Sequence, residues 1–243
     1  MRTPIHGITV CVDYAAELEV GLRRWWVYLD SLTIVTMARD TATIDLARQW
    51  AAGGPSAHLH VTDAFTRDGA TFNKGRALEE ARADLMARIW GAPAWILLFD
   101  ADIVPPADWR DRLEGITPGF LYGCRRFQGS PDALEDTGQP SLPHDVPGVG
   151  YFQLFHVVDP VVTGADPLIE TDWIHAGNYD NRLLDRWRAA GRPAVNLPFR
   201  VAHLGPPGVN WCGKGNAPAV ERIRAERRRR GGRWDHERIG GPR

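Results

Sequence analysis

The sequence predicts an α/β sandwich on a mainly parallel central sheet, and three observations predict it. Through about the first hundred residues, short β-rich runs alternate with helical patterns, the signature of βαβ units. The run Trp95-Ile96-Leu97-Leu98-Phe99 is apolar without alternation and stops at Asp100, as a central strand covered on both faces does. With 243 residues, 44% of them hydrophobic, the chain can bury one large core.

In chain order, Ile8 to Val12 reads as the first strand. Leu18, Leu22, Trp25 and Leu29 then recur at helical spacing, and Thr33 to Thr36 reads as a short strand. A helix covers about Ala42 to Ala51, and His58 to Thr62 is the third strand. A longer helix puts Leu78, Ala81, Leu85 and Ile89 on one face before the strand that ends at Asp100. Residues 127 to 148 lose periodicity and gain Pro, Gly, Ser and acidic residues, which reads as a long functional or mobile loop. A strand at Tyr151 to His156, a helix at about Asp180 to Ala190 and an irregular stretch around His203 to Gly215 complete the pattern. Residues 1–220 are expected to form a single domain and residues 221–243 a basic tail.

The formal net charge of −1 hides an asymmetry. Residues 221–243 hold nine Arg against four acidic residues, a net of +5, which leaves −6 on the rest. Such a tail either contacts an anionic partner or is a solvated terminus. The three cysteines, Cys11, Cys124 and Cys212, lack CxxC spacing and fit a reducing compartment better than a disulfide framework. No stretch reaches the roughly 20 apolar residues that span a bilayer, and the reading expects a cytoplasmic protein. No GxGxxG follows the first strand and neither a Walker A sequence nor GxSxG occurs, which argues against dinucleotide dehydrogenases, P-loop enzymes and the simplest hydrolases.

Ligands of open α/β sheets bind beyond the carboxyl ends of the strands, so the residues just past each apolar run carry the chemistry. Here Asp13, Asp40, Asp63, Asp100 and Asp102 hold those positions. In extended backbone, Asp100 and Asp102 would point to the same side and could both face one hard cation, Mn²⁺ or Mg²⁺. Asp40 alternatively caps the helix that follows it. His58 and His60 alternate on a strand with no third ligand nearby and are assigned no metal. Most of the ten Trp residues read as core, Trp25 and Trp95 among them, whereas Trp173 and Trp211 fall in candidate cleft segments.

Several segments, in order, resemble GT-A glycosyltransferases, including the galactosyltransferase and chondroitin-polymerase-like groups. Thr71-Phe72-Asn73-Lys74-Gly75 resembles their FNKG segment, and Asp100-Ala101-Asp102 their DxD motif. Gly150-Tyr151-Phe152-Gln153-Leu154-Phe155 resembles the strand lining the sugar and acceptor cleft. Gly177-Asn178-Tyr179-Asp180-Asn181 is similar to their acidic segment, but with a single carboxylate where relatives have consecutive ones. Val201-Ala202-His203-Leu204-Gly205 resembles the late histidine segment. The likeness spans roughly residues 7 to 215.

The resemblance implies a GT-A fold and sugar transfer from a nucleotide-diphosphate donor, uridine-linked by family likeness, to a hydroxyl of an acceptor. Asp100, Asp102 and His203 are then the metal ligands for Mn²⁺ or Mg²⁺. Asp13, Tyr14, Asp40, Asp63, Phe72, Asn73, Lys74, Asp100 and Ala101 are the donor contacts, and Tyr151, Phe152, Gln153, Trp173, Asn178 and Trp211 line the acceptor side. Asp180 is the candidate base of an inverting transfer, or it caps its helix, with Asp172 the next candidate. The acceptor is a glycan, a protein, a small molecule or a hydroxylated DNA base of the kind some bacteriophages modify. The other alternative is a non-catalytic relative that binds nucleotide or glycan.

Overall fold

The computed structural model describes residues 2–53, 56–134, 150–172, 176–177 and 179–204. Eight strands form one sheet: β1 (Ile5–Val10), β2 (Ser31–Thr36), β3 (Ser56–Val61), β4 (Trp95–Asp100), β5 (Ile103–Val104), β6 (Leu121–Gln128), β7 (Phe152–His156) and β8 (Ala194–His203). Their order across the sheet is β3-β2-β1-β4-β7-β6-β8-β5. The first four pair in parallel in βαβ fashion, β7 enters antiparallel beside β4, and β6 and β8 pair in parallel beyond it.

Helices α1 (Ala15–Trp25) and α2 (Thr41–Ala51) cover one face, where Leu18, Leu22, Trp25 and Leu46 pack against Leu97, Phe99 and Phe152. Helices α3 (Lys74–Ile89) and α5 (Tyr179–Ala189) cover the other, with Leu78, Ala81, Leu85 and Trp187 against Ile8, Ile96 and Leu98. A one-turn α4 (Pro160–Thr163) follows β7. Alternate residues of β4 thus feed both cores, which explains its unbroken apolar run. Among the described residues no helix is long and apolar enough to cross a membrane.

Several sequence expectations change. The helical run begun at Leu18 ends at Trp25, and Leu29 is buried beyond it in the turn into β2. Residues 127 and 128 close β6 instead of opening a loop, and Pro131–Leu134 form a 3-10 turn. His203 closes the ten-residue strand β8, which carries Pro198 at its centre. Proline removes a ladder donor, and here it falls where the β6–β8 register jumps from Gly123↔Asn196 to Arg125↔Arg200. That irregularity lets a Pro-containing segment run as an interior strand.

Candidate active site

The cleft lies at the carboxyl ends of β1 and β4 and is lined by Val10, Val12, Tyr14, Phe72, Lys74, Asp100, Ala101 and Asp102. Asp100 is the last residue of β4, but Ala101 and Asp102 form a turn into β5, so the extended backbone expected between the two carboxylates is corrected. α1 packs against this turn: Trp25 Nε1 donates to the Ile103 carbonyl at 3.1 Å, and a Cβ on Gly21 would lie 3.0 Å from the same oxygen.

Asp100 accepts from the Lys74 ammonium, which enters from the first turn of α3 with its Nζ 5.2 Å from the centre of the Tyr179 ring. Burial alone would lower the Lys74 pKa, but Asp100 and Tyr179 more than offset it and keep the amine charged. Burial pushes the Asp100 carboxyl up, Asp102 adds to the rise, and Lys74 opposes it.

Asp102 faces His203 across the antiparallel β5–β8 pair, with Oδ2 3.3 Å from Nε2 and the Leu204 amide donating to the Asp102 carbonyl at 2.8 Å. Both residues are buried, 4% exposed in each case. A carboxylate beside an imidazole is a donor set that suits Mn²⁺ better than Mg²⁺, which takes oxygen ligands. Among the described residues no three His, Cys, Asp or Glu side chains converge on one point, because Asp100 is turned to Lys74.

Asp180 lies in the first turn of α5 and comes against Gly150, where a Cβ would lie 2.8 Å from its Oδ2, so only glycine leaves the carboxylate its place. Burial raises the Asp180 pKa, opposed by the Asn181 amide and by Lys74. Its Oδ1 accepts from the Asn181 amide at 2.9 Å, so it serves its helix terminus while remaining in the electrostatic field of Lys74 and Asp100. Tyr151 has its hydroxyl on the Cys124 carbonyl at 2.7 Å and its ring under the Arg126 guanidinium at 4.8 Å, and its backbone carbonyl accepts from the Asp100 amide.

Other predicted residues are placed differently. The Asp40 carboxylate accepts from the Thr43 amide, the Thr36 hydroxyl and the Asp13 amide at 3.1, 3.2 and 2.8 Å. It is a buried cap that also fixes the β1–α1 turn, where Asp13 has a φ of 64° and reaches Arg39 at 3.7 Å. Tyr14, next in that turn, is buried against the cleft, and burial raises its pKa, with Asp102 contributing. Asp63 follows the outermost strand and is solvent-exposed, paired with Arg67, so it is not brought to the cleft.

Asn73 caps α3 by accepting from the Arg76 amide at 2.9 Å and gives its own amide to the Thr171 carbonyl at 2.7 Å. Its side chain therefore holds the 168–172 strap. Phe152 is corrected outright: it is fully buried among Trp25 and Phe199, on the sheet face opposite the one Gln153 occupies. Gln153 itself is 1% exposed, paired in register with Leu98. Asp172 is exposed beside Thr171 with a 3.4 Å contact. Trp173, Asn178, Trp211, most of the 127–148 segment and the basic tail lie outside the described residues.

Two residues of the site had no sequence signal of their own. Tyr179 stood in the acidic-like segment as an apparent departure, yet it forms the floor under Lys74. Gln128 closes a strand that the apolar pattern did not reveal, and it holds His203 through two hydrogen bonds.

No family model matches the chain, and neither does any curated protein sequence. Among solved structures it resembles a 4-diphosphocytidyl-2C-methyl-D-erythritol synthase, with a TM-score of 0.50 and 13% identity over 86% of this chain and 95% of that one. The chain has the GT-A, nucleotidyltransferase-like fold. A T. maritima inositol-1-phosphate CTP transferase (TM-score 0.46, 8% identity, 93% and 97% covered) and the galactosyltransferase LgtC with donor and acceptor analogues (0.49, 11%, 90% and 94%) are also similar at lower scores. At these identities the likeness speaks to fold alone.

Proposed function

We propose that the chain is a glycosyltransferase that moves a sugar from a nucleoside-diphosphate donor, uridine-linked by the resemblance of its motifs, to an acceptor hydroxyl. The observation that carries this reading is the convergence of Lys74, Asp100, Asp102, His203 and Asp180 at the carboxyl end of β4.

Asp102 and His203 would hold Mn²⁺ or Mg²⁺, with Asp100 joining them only on release from Lys74, and the cation when bound supplies positive charge to a diphosphate leaving group. Lys74 already brings a fixed ammonium to the same place, and it can exchange Asp100 for a phosphate oxygen. Tyr14 and Phe72 form the apolar walls, and Phe72 is braced by Phe65 at 4.9 Å between ring centres. Asp180 takes the proton of the acceptor hydroxyl as that oxygen attacks the anomeric carbon, and burial, by raising its pKa, makes it a stronger base than an exposed carboxylate.

Nucleotidyl transfer is the competing reaction on this fold. It calls for a Gly-rich basic loop after the first strand, and Asp13-Tyr14-Ala15-Ala16-Glu17 supplies neither glycine nor a cation. The deciding experiment incubates the protein with a panel of nucleotide sugars and, separately, with nucleoside triphosphates and sugar phosphates. Release of nucleoside diphosphate from a nucleotide sugar supports the proposal; pyrophosphate released from a triphosphate overturns it.

A further inference from the structure

We propose that Arg126, held over the ring of Tyr151, reads an anionic group on the acceptor, so that the substrate receiving the sugar carries a carboxylate or a phosphate. The inference rests on the sugar-transfer reading above and supplies the class of acceptor that the reading leaves open.

Three links tie Arg126 to the site. Tyr151 stands opposite the end of β4, where its carbonyl accepts from the Asp100 amide at 3.0 Å. Its chain neighbour Gly150 lies against the Asp180 carboxylate. Alternate residues of a strand share a face, so Arg126 and Gln128 leave β6 on the same side, where Gln128 meets the ring of its register partner His203 at 3.0 Å. The sheet order puts β7 between β4 and β6, which at about 4.8 Å per strand sets the Arg126 backbone about 10 Å from β4. The cleft that would take the donor lies on the other flank of β4, toward β1, and Arg126 is not among its lining residues. Lys74 is the cation for the donor phosphates, and Arg126 is left to the acceptor.

The arginine is also held ready for a ligand. The Tyr151 hydroxyl donates to the Cys124 carbonyl at 2.7 Å and fixes the ring, and the guanidinium carbon lies 4.8 Å from the ring centre. This contact uses the face of the ring and none of the N–H donors. Among the described residues Arg126 forms no ion pair and no side-chain hydrogen bond, and it is exposed. Its planar fork can therefore give two parallel bonds to the oxygens of one carboxylate or phosphate. Because the ring already restrains the side chain, binding costs less ordering than a freely moving surface arginine would pay. An anionic acceptor entering beside Asp100, Asp102 and Asp180 meets like charge, and a guanidinium at this rim offsets that repulsion.

The test compares galactose, galacturonate and galactose 6-phosphate as ligands of the wild type, Arg126→Ala and Arg126→Lys. Their affinities are measured by ligand-observed NMR with and without uridine diphosphate and Mg²⁺, and the affinity for uridine diphosphate is recorded for each protein. The expected result is that the charged sugars bind the wild type about five- to tenfold more tightly than galactose. Arg126→Ala abolishes that preference, Arg126→Lys keeps part of it, and added salt shrinks it. Whichever charged sugar binds more tightly identifies the anion. Charged sugars that do not bind, or bind no better than galactose, overturn the inference, as does a preference that survives Arg126→Ala. An equal loss of every ligand in Arg126→Ala, uridine diphosphate included, marks a structural effect and overturns it as well. A wild type that prefers the charged sugars through Arg126 but binds no uridine diphosphate overturns the sugar-transfer reading and leaves the anion site standing.

Discussion

Asp102 has a neighbour of each kind that a charged side chain can have: a basic ring 3.3 Å away, the Asp100 carboxylate, whose pKa it helps to raise, and a tyrosine ring in the cleft wall. Replacing it with alanine removes charge from the centre of this group. Donor turnover should then fall by about 10²- to 10³-fold, the usual effect of deleting one preorganised electrostatic contact. Wild-type rates in Asp102→Ala at saturating Mn²⁺ would rule out the role. For Asp180 the sign follows from its raised pKa. A base must be ionised to accept a proton, so kcat/KM should rise with pH through an apparent value above the ordinary carboxylate range of about 4 and be lost below it. An acid limb that survives unchanged in Asp180→Asn assigns the ionisation to another group.

At this scale the sequence was informative where a residue ends an apolar run, as Asp100 does, or opens a helix, as Lys74 does. It misled for Phe152, because alternate residues of a strand face opposite ways, and Phe152 turns into the core under α1 and α2. It also misled for Asp63, because a strand-end carboxylate reaches the cleft only if its strand lies near the sheet centre.

The element that organises the 168–172 strap is α3. Its cap Asn73 holds Thr171, Gly75 presses against the Glu170 carbonyl, and Glu79 accepts from the Leu168 and Ile169 amides at 3.1 Å each while pairing with Arg82. Any side chain at position 75 collides with the strap. Gly75→Ala should therefore cost about 1–3 kcal/mol, read from the thermal midpoint, and loosen residues 168–172 to proteolysis. Glu79→Ala strands a buried guanidinium and two strap amides and should cost about 3–5 kcal/mol in urea unfolding. A loss below 1 kcal/mol would show that the strap is held from elsewhere. The helix itself was legible from Leu78, Ala81, Leu85 and Ile89, but the strap was not, since its bonds join residues about 90 positions apart. β6 and β8 were hidden for a related reason: Gly123, two arginines and Pro198 spoil their local pattern, and only mutual pairing makes them strands.

For the whole molecule, the parallel half of the sheet was readable from the sequence because each βαβ unit is local, as was the apolar strand β7, whereas β6, β8 and β5 depend on distant pairing. A ligand that binds only the folded cleft stabilises the entire domain. A nucleoside diphosphate at about 100 times its dissociation constant should add about 2.7 kcal/mol, roughly 5 to 10 °C in thermal midpoint. The shift should shrink with chelator. No shift with any nucleotide would count against a nucleotide-sugar donor.

The pairing of β5 with β8 also sets when the site comes into being. Asp102 and His203 are separated by 101 positions, so at about 5–20 residues per second a chain on the ribosome holds the first for about 5–20 s before the second exists. During that interval β5 has no partner strand and one edge of β6 lies open, a surface prone to wrong association. Synthesis therefore yields β1 to β4 early and the Asp102–His203 pair last, so a chain interrupted before β8 has most of the sheet but only Asp102 of the pair.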